Sequence, residues 1–563
     1  MKIPIDKIPY SAYGSYFAIS RVGGAGDIYL RDVHGGDEVP SRLYRLRLKG
    51  HSREEITLCC TETQLIIESR KVQGGKCLMI IAVNSGVHIL TKGVSLELAA
   101  VGKKYDTLVP ISDHTYEHHF YGKQIKVKLT CVYGKMEQKQ SWNVTGSEDA
   151  QISLGDGIEE TYVVLESFKS VLVKKNYPDF DQVKRDTQLH LEKWKNMFYN
   201  RSRAFEKSFE LASYLTWANI VHSEGLLSAD AMYMTKNTMY NIWSWDNCFG
   251  AIALSAGFPE LAYGQLKIFI DQQDESGCYP DFVNETFASY NCVKPPIHGW
   301  AYDKMIAINP VFKSKGKLSK IYKSLCKVTE FWLHYRVPEG GVFPVYYHGN
   351  DSGWDNASVF SQGVPVESPD LAALLICQMD KLSKWAIQLN RDSEGAAWKE
   401  KADAYYHNFV KHFYSEGRLK TFYVPTKEVI SGTHSLLPYM SLIIADRMEG
   451  HMVDALVKNL LEVFEQEYGL ATEAPGSSYY QKAGYWLGPV WAPVTYMLID
   501  ALRANGYGAF AQRLANKFCK ATTIGMMSEN YDPFTGEGYD DPGFSWSSCV
   551  LLRLLMEYDH LEE

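Results

Sequence analysis

The sequence predicts two structural parts: an antiparallel β-sandwich over residues 1–178 and an all-α (α/α)6 barrel, a toroid of six helical hairpins, over 204–563. A linker helix over 179–203 joins them. Three observations carry this. Short alternating apolar runs fill the first part. Twelve stretches with apolar spacing near 3.6 fill the second. The connections between the twelve alternate between short and long.

The predicted strands include Ile56-Thr-Leu-Cys-Cys, Gln64-Leu-Ile-Ile-Glu, Cys77-Leu-Met-Ile-Ile-Ala-Val, Val127-Lys-Leu-Thr-Cys-Val and Tyr162-Val-Val-Leu. Gly, Asp, Asn and Lys clusters separate them, as expected of a sandwich with turns at short intervals. No convergent set of catalytic residue types appears there, so this part reads as a support. From Asp179 to Asn200 the pattern turns helical with mixed charge.

The helical stretches are 204–226, 244–255, 258–273, 297–308, 317–335, 367–390, 394–413, 433–447, 450–467, 487–504, 506–522 and 544–558. Successive helices of hairpins run antiparallel, so odd and even connections lie at opposite ends. The six long loops, which follow the odd helices, therefore gather on one face. Each even helix points its N-terminus at that face, where the helix dipole favours carboxylates and polar ligand atoms.

Composition narrows the function. The net charge is -8 with no basic patch, which argues against nucleic acid as a partner. No apolar run approaches the roughly 18 residues of a membrane span. The N-terminus lacks the apolar stretch of a signal peptide. Eleven cysteines without a CxxC pair read as free thiols in a reducing compartment, so a cytoplasmic protein is expected. The Asn-X-Ser/Thr sequons at Asn143, Asn200, Asn284, Asn350 and Asn356 then carry no weight. No metal-ligand spacing, phosphate loop or GxSxG elbow occurs, and no cofactor or metal is expected.

Carboxylates and aromatics in the long loops remain. Tyr240-Asn-Ile-Trp-Ser-Trp-Asp246 places Asp246 where it either caps the next helix or, beside two Trp, faces a sugar. Lys294-Pro-Pro-Ile-His-Gly-Trp starts a helix at its prolines, with Lys294 a candidate for the cavity and His298 a satisfied helix residue. In Ser352-Gly-Trp354-Asp355-Asn356 a carboxyl follows Trp354 within a Gly-containing turn. Desolvation there raises its pKa, as a general acid at neutral pH requires. Tyr485-Trp486-Leu-Gly488-Pro-Val-Trp491 brings an aromatic cluster to a helix start. Ser528–Trp546 is rich in carboxylates, with Glu529 foremost. Two carboxyls flanking a bond are the minimum machinery for glycoside hydrolysis.

The segments SWDNCF, PPIHGWA, SGWDNAS, YGLATEAP, YWLGPVW and ENYDPFTGEG…FSW, in order over 240–550, resemble glycoside hydrolase family 63 and its clan relatives, the family 37 trehalases. The resemblance implies an inverting enzyme for α-linked sugars, with Asp355 as general acid and Glu529 as general base. It implies that Asp246 binds the sugar and that Trp243 lines the pocket. Tyr485, Trp486, Gly488, Trp491 and Trp546 would add contacts. Lys294 stands where relatives often carry Gln, Leu487 where they usually carry Arg, and Asp351 where they commonly carry Glu. One cation is gained and another lost, and Lys does not reproduce the guanidinium fork.

The expected reaction is exo-acting hydrolysis of an α-linked sugar, foremost an α-glucoside, on an oligosaccharide or small glycoside, with carboxyls roughly 6.5–9.5 Å apart. One alternative is a hydrolase for small acidic glycosides of the glycosylglycerate type, with Lys294 pairing the substrate carboxylate. Another is a non-catalytic carbohydrate-binding protein on this scaffold.

Overall fold

The computed structural model describes residues 1–562 apart from 22–25, 85 and 174. Among them, fourteen strands between Phe17 and Phe168 form two antiparallel sheets. The six-stranded sheet runs from Phe17–Ser20 at one edge to Met136–Asn143 at the other. The eight-stranded sheet runs from Ile56–Cys60 to Thr107–Ser112. Alternation explains the layers. Leu46, Leu98 and Ile152 from one sheet and Ile67, Ile89 and Val127 from the other share one buried core.

The linker helix, Phe180–Lys195, is capped by Asp179, whose carboxylate accepts the Gln182 N–H at 2.8 Å. Its first turns cover the outer face of the larger sheet, where Phe180 and Val183 pack with Ile80, Leu90 and Val164. Each such burial stabilises by about 1.5–3 kcal/mol. Its last turn reaches the helical part, where the Trp194 indole donates to Thr216 at 3.3 Å. One helix thus bridges sheet and barrel.

The twelve expected helices all form, at Glu206–Ala218, Asp246–Leu254, Pro259–Asp271, His298–Ile308, Lys315–Tyr335, Pro369–Gln388, Asp392–Phe413, Leu437–Arg447, Gly450–Asn459, Ala492–Ala504, Gly508–Gly525 and Ser545–Glu557. The second, fourth, sixth, eighth, tenth and twelfth each pack on the next, and the twelfth packs on the second, closing an inner ring. The odd helices lie outside. Their sequences say why. Asp246–Leu254 is buried on every side, whereas Lys315–Tyr335 buries one stripe that includes Leu318, Ile321, Leu325, Val328 and Trp332.

Two local departures occur. Leu437–Arg447 is wound as a 3-10 helix with a break at Ile444. Its apolar repeat of three, Leu437, Met440 and Ile443, suits three residues per turn as well as 3.6. The first helix ends at Ala218, and β-branched Ile220–Val221 pairs with Ala231–Met232 instead of extending it.

The long loops are stitched to one another by short strands. Ile242–Trp243 pairs with Phe282–Val283, which pairs with Ala288–Ser289. Val490–Trp491 pairs with Asn530–Tyr531, which pairs with Gly538–Tyr539. All eleven cysteines are unpaired. Among the described residues, no helix is long and apolar enough to cross a membrane.

Candidate active site

Glu529 immediately precedes the central strand of the second stitched sheet, beside Trp491, whose register partner is Asn530. Its N–H donates to the Asp541 carbonyl at 2.9 Å, and its own carbonyl accepts the Trp546 indole N–H at 3.1 Å. The side chain is 4% exposed, and the Tyr485 hydroxyl donates to its Oε1 at 3.0 Å. Burial, with the nearby charges of Asp540, Asp541 and Asp246, pushes the Glu529 carboxyl up to about 8; the Tyr485 hydrogen bond opposes the rise. Tyr485 itself has φ +63°, and the Trp491 indole holds its carbonyl at 3.1 Å. Glu537 and Asp540, on the same loop, are exposed.

The loop bearing Asp355 is built by its neighbours. The Asp351 carboxylate accepts from the Val293 N–H at 3.0 Å, Arg336 at 2.8 Å and the Tyr347 N–H at 2.9 Å. Glycine is required at Gly353, where φ is +74° and a Cβ would meet the Trp245 ring at 2.6 Å. Asn356 ties this loop to the Tyr485 loop: its Oδ1 accepts the Trp486 N–H at 2.9 Å and its Nδ2 donates to the Gly484 carbonyl at 3.0 Å. Asp355 is half-buried. With the Asn350 amide turned to present its nitrogen, that nitrogen lies 2.8 Å from Oδ1 of Asp355. Burial raises the Asp355 carboxyl above its ordinary value, against the pull of Lys294 and His348.

Asp246 is the first residue of its helix, and the cap position is held by Trp245, which makes no side-chain capping bond. Oδ2 of Asp246 has no hydrogen-bond partner among the described residues. Burial pushes its carboxyl up to about 7, opposed by Lys294 and helped by Asp281 and Asp355. Lys294 is therefore the electrostatic hub. Its ammonium lies 3.3 Å from Asp281 and donates to the Asn350 carbonyl at 3.0 Å. Burial works against its charge, but Asp281, Asp355 and Asp246 outweigh it and raise its pKa.

The wall is aromatic. Trp486 stacks on Trp491 at 3.8 Å and 7° and on Trp354 at 4.7 Å. Trp546 meets Trp491 edge-on at 5.4 Å and Trp245 at 6.0 Å. Both faces of Trp486 are thus engaged by protein, which makes it a back wall. Trp243 is only half-buried and lies 5.5 Å from Phe282. Gly488 leaves room for this packing, since a Cβ there would lie 2.6 Å from the Gln481 carbonyl. His298 is buried, bonds the Ser244 carbonyl at 3.0 Å, and is pushed down to about 4 by burial, so it stays neutral.

The structure therefore brings the expected Asp246, Lys294, Asp355, Tyr485, Glu529 and Trp546 together. It adds two residues that sequence reasoning gave no role, Asp281 and Asn356, and places Trp245, one of the two Trp noted beside Asp246, against Trp486 and Trp546. Asn356 had a signal in the SGWDN run, directly after the candidate acid. Asp281 had none, because its partner Lys294 is thirteen residues away and meets it only through folding. Two surface cavities of about 480 Å³ each are lined by other residues: one by Phe343, His412 and Phe422, another by Trp300, Arg447 and Asp500.

Residues 239–547 match the family described as the mannosylglycerate hydrolase MGH1-like glycoside hydrolase domain. A mannosylglycerate hydrolase of Thermus thermophilus is 38% identical over 90 residues, 15% of this chain and 20% of that protein. A glucosylglycerate hydrolase of Mycolicibacterium hassiacum is 30% identical over 90 residues, 16% of this chain and 20% of that protein. The aligned stretch thus spans about a fifth of each relative's length. Among solved structures, a family 63 mannosylglycerate hydrolase of Thermus thermophilus with bound glucose aligns at a TM-score of 0.53 and 20% identity, covering 62% of this chain and 98% of that one. A bacterial glucoamylase with acarbose aligns at a TM-score of 0.61 and 12% identity, covering 97% and 93%. The glucoamylase likeness spans nearly the whole chain and shows a shared fold of sheets followed by an (α/α)6 barrel; the hydrolase likeness covers less than two thirds of the chain and shows a shared fold over that share alone. Because the family match spans more than half of the sequence, the chain belongs to the MGH1-like domains of glycoside hydrolase family 63.

Proposed function

We propose that this protein hydrolyses a terminal α-linked sugar by single displacement, with Asp355 as general acid, Glu529 as general base and Asp246 as a sugar-gripping carboxylate. One observation carries the reading. Tyr485 donates to Glu529 at 3.0 Å and lies in the fields of both Asp355 and Asp246, so carboxyls from three separate loops converge on one phenol. Protonated Asp355 gives its proton to the glycosidic oxygen. Ionised Glu529 takes a proton from the water that attacks the anomeric carbon on the opposite face.

Acidity alone favours the reverse roles, since Glu529 is pushed up to about 8. Two arguments outweigh it. A phenol donating to Oε1 stabilises the carboxylate, the form a base needs. The positive charge that develops at the anomeric carbon lowers the pKa of a carboxyl beside it. The order of the family motifs supports the same assignment.

For the substrate, small glycosylglycerates come first, because the aligned relatives include mannosylglycerate and glucosylglycerate hydrolases. A neutral α-glucoside is the second reading. It is favoured by Lys294, whose ammonium is already engaged by Asp281 and the Asn350 carbonyl. Hydrolysis of α-glucosylglycerate, α-mannosylglycerate and neutral α-glucosides, α-mannosides and α-galactosides is the test, with Asp355→Asn as control. No turnover above that control on any of them refutes the reading.

A further inference from the structure

Consecutive inner helices are joined through the odd helix between them, except the twelfth and the second. Glu529 lies on the loop that enters the twelfth helix, at the one joint of the inner ring that no hairpin spans. Segment 235–238 fills that joint. The hydroxyls of Thr235 and Thr238 both donate to Oδ2 of Asp541, at 3.0 and 2.8 Å. Oδ1 of Asp541 accepts the Gly543 N–H at 3.0 Å, and its carbonyl holds the Glu529 N–H at 2.9 Å.

The other side of the segment is gripped by the sheets. Buried Arg31 donates to the Lys236 carbonyl at 3.1 Å and to the Asn237 carbonyl at 2.6 Å. The Lys236 ammonium points back, wholly buried. It donates to the Ser11 hydroxyl at 3.1 Å and to the carbonyls of Ala12, Ser15 and Ile220 at 3.3, 2.5 and 3.0 Å. No carboxylate pairs with it among the described residues. Burial pushes the Lys236 pKa well down, and a buried amine without a counter-charge is a costly way to fill space. Its four oxygen acceptors instead fix where this segment lies.

We infer that the N-terminal sheets are part of the catalytic apparatus: through Arg31, Lys236 and the pair Thr235/Thr238 they hold Asp541, and Asp541 positions Glu529. This rests on Glu529 being the base. Asp541 and its partners are positioning residues, since they reach the reaction only through the Glu529 backbone and loop.

The test is kinetic, on the full chain, with whichever of α-glucosyl or α-mannosyl fluoride the wild type hydrolyses faster. Fluoride leaves without a proton, so this probe bypasses the acid and reads the base. Thr235→Val with Thr238→Val is expected to lower kcat about tenfold on the fluoride, with KM within about twofold, because small displacements of a reacting group are expensive in rate. Thr235→Ser with Thr238→Ser restores kcat. Arg31→Lys, which loses the guanidinium fork, lowers kcat several-fold in the same way. Wild-type kcat in the double valine variant overturns the inference, as does a loss seen only with glycosides that need protonation. Wild-type kcat in Arg31→Lys removes the sheets from it. Glu529→Gln is measured alongside. If that variant turns over the fluoride, the base assignment itself falls; if it is dead while the double valine variant is normal, only the positioning inference falls. Should the double variant not fold, Thr238→Val alone, which keeps the Thr235 contact, is judged by the same criteria.

Discussion

The Tyr485 hydroxyl stands 3.0 Å from Oε1 of Glu529 and opposes the burial that pushes this carboxyl up to about 8. A Glu529 carboxyl pushed up to about 8 is protonated in most of the free protein at neutral pH, so the productive form, with Glu529 ionised, is the minor one. The profile of kcat/KM against pH is expected to be bell-shaped, and its alkaline limb, near 8, reports the group of higher pKa, Glu529. Tyr485→Phe removes a hydrogen bond to the charged form, so Glu529 rises further. The alkaline limb moves to higher pH, and kcat/KM at neutral pH falls about fivefold as the productive form becomes rarer. A limb that stays in place in Tyr485→Phe means that Glu529 does not control it.

Leaving-group dependence separates the two carboxyls. An acid matters only where the departing oxygen needs a proton; a base matters for every substrate. Asp355→Asn is expected to lose about a thousandfold or more on ordinary glycosides and yet keep much of its turnover of an α-glycosyl fluoride. Glu529→Gln is expected to lose both. The opposite pattern would assign Glu529 as the acid, in line with its raised pKa.

Legibility in the sequence followed the range of the interactions. The twelve helices rest on local spacing, and their alternating loop lengths placed Asp246, Asp355 and Glu529 on one face. The ring of even helices follows from the same parity. The winding of Leu437–Arg447 was not legible, because a repeat of three does not separate 3.0 from 3.6 residues per turn. The surroundings of the carboxyls were not legible either. Asp281 meets Lys294, and Thr235 meets Asp541, only once the loops are stitched together. Asp246 illustrates the boundary. The sequence allowed a cap or a ligand; the structure puts Trp245 at the cap position and leaves Oδ2 of Asp246 unpartnered among the described residues, and neither feature could be read from the sequence.

Stereochemistry tests the single displacement. With Glu529 activating water and no covalent intermediate, an α-glycoside releases the β-anomer first. Proton NMR during the first minutes of hydrolysis is expected to show the β-anomeric signal ahead of mutarotation. An α-anomer appearing first would mean two displacements and a nucleophilic carboxylate.

Lys294 couples the site's chemistry to its stability. Its ammonium faces Asp281, Asp355 and Asp246, and Asp246 and Asp281 are held above their ordinary pKa by burial despite it. Lys294→Met removes the charge that opposes the rise at Asp246 and Asp281. The folded state then binds protons that the unfolded chain has released, so stability falls as pH climbs from the ordinary carboxyl range toward the raised folded values. The variant is expected to lose about 3–5 kcal/mol at alkaline pH, as when one partner of a buried pair is removed, and much less near pH 5, where Asp246, pushed up to about 7, is neutral. Urea denaturation at several pH values reads this directly. The substrate preference of the same variant bears on the aglycone. If Lys294 recognises an acidic aglycone, kcat/KM for glycosylglycerates drops further than for neutral α-glucosides. If Asp281 and the Asn350 carbonyl fully occupy it, both fall by the same factor.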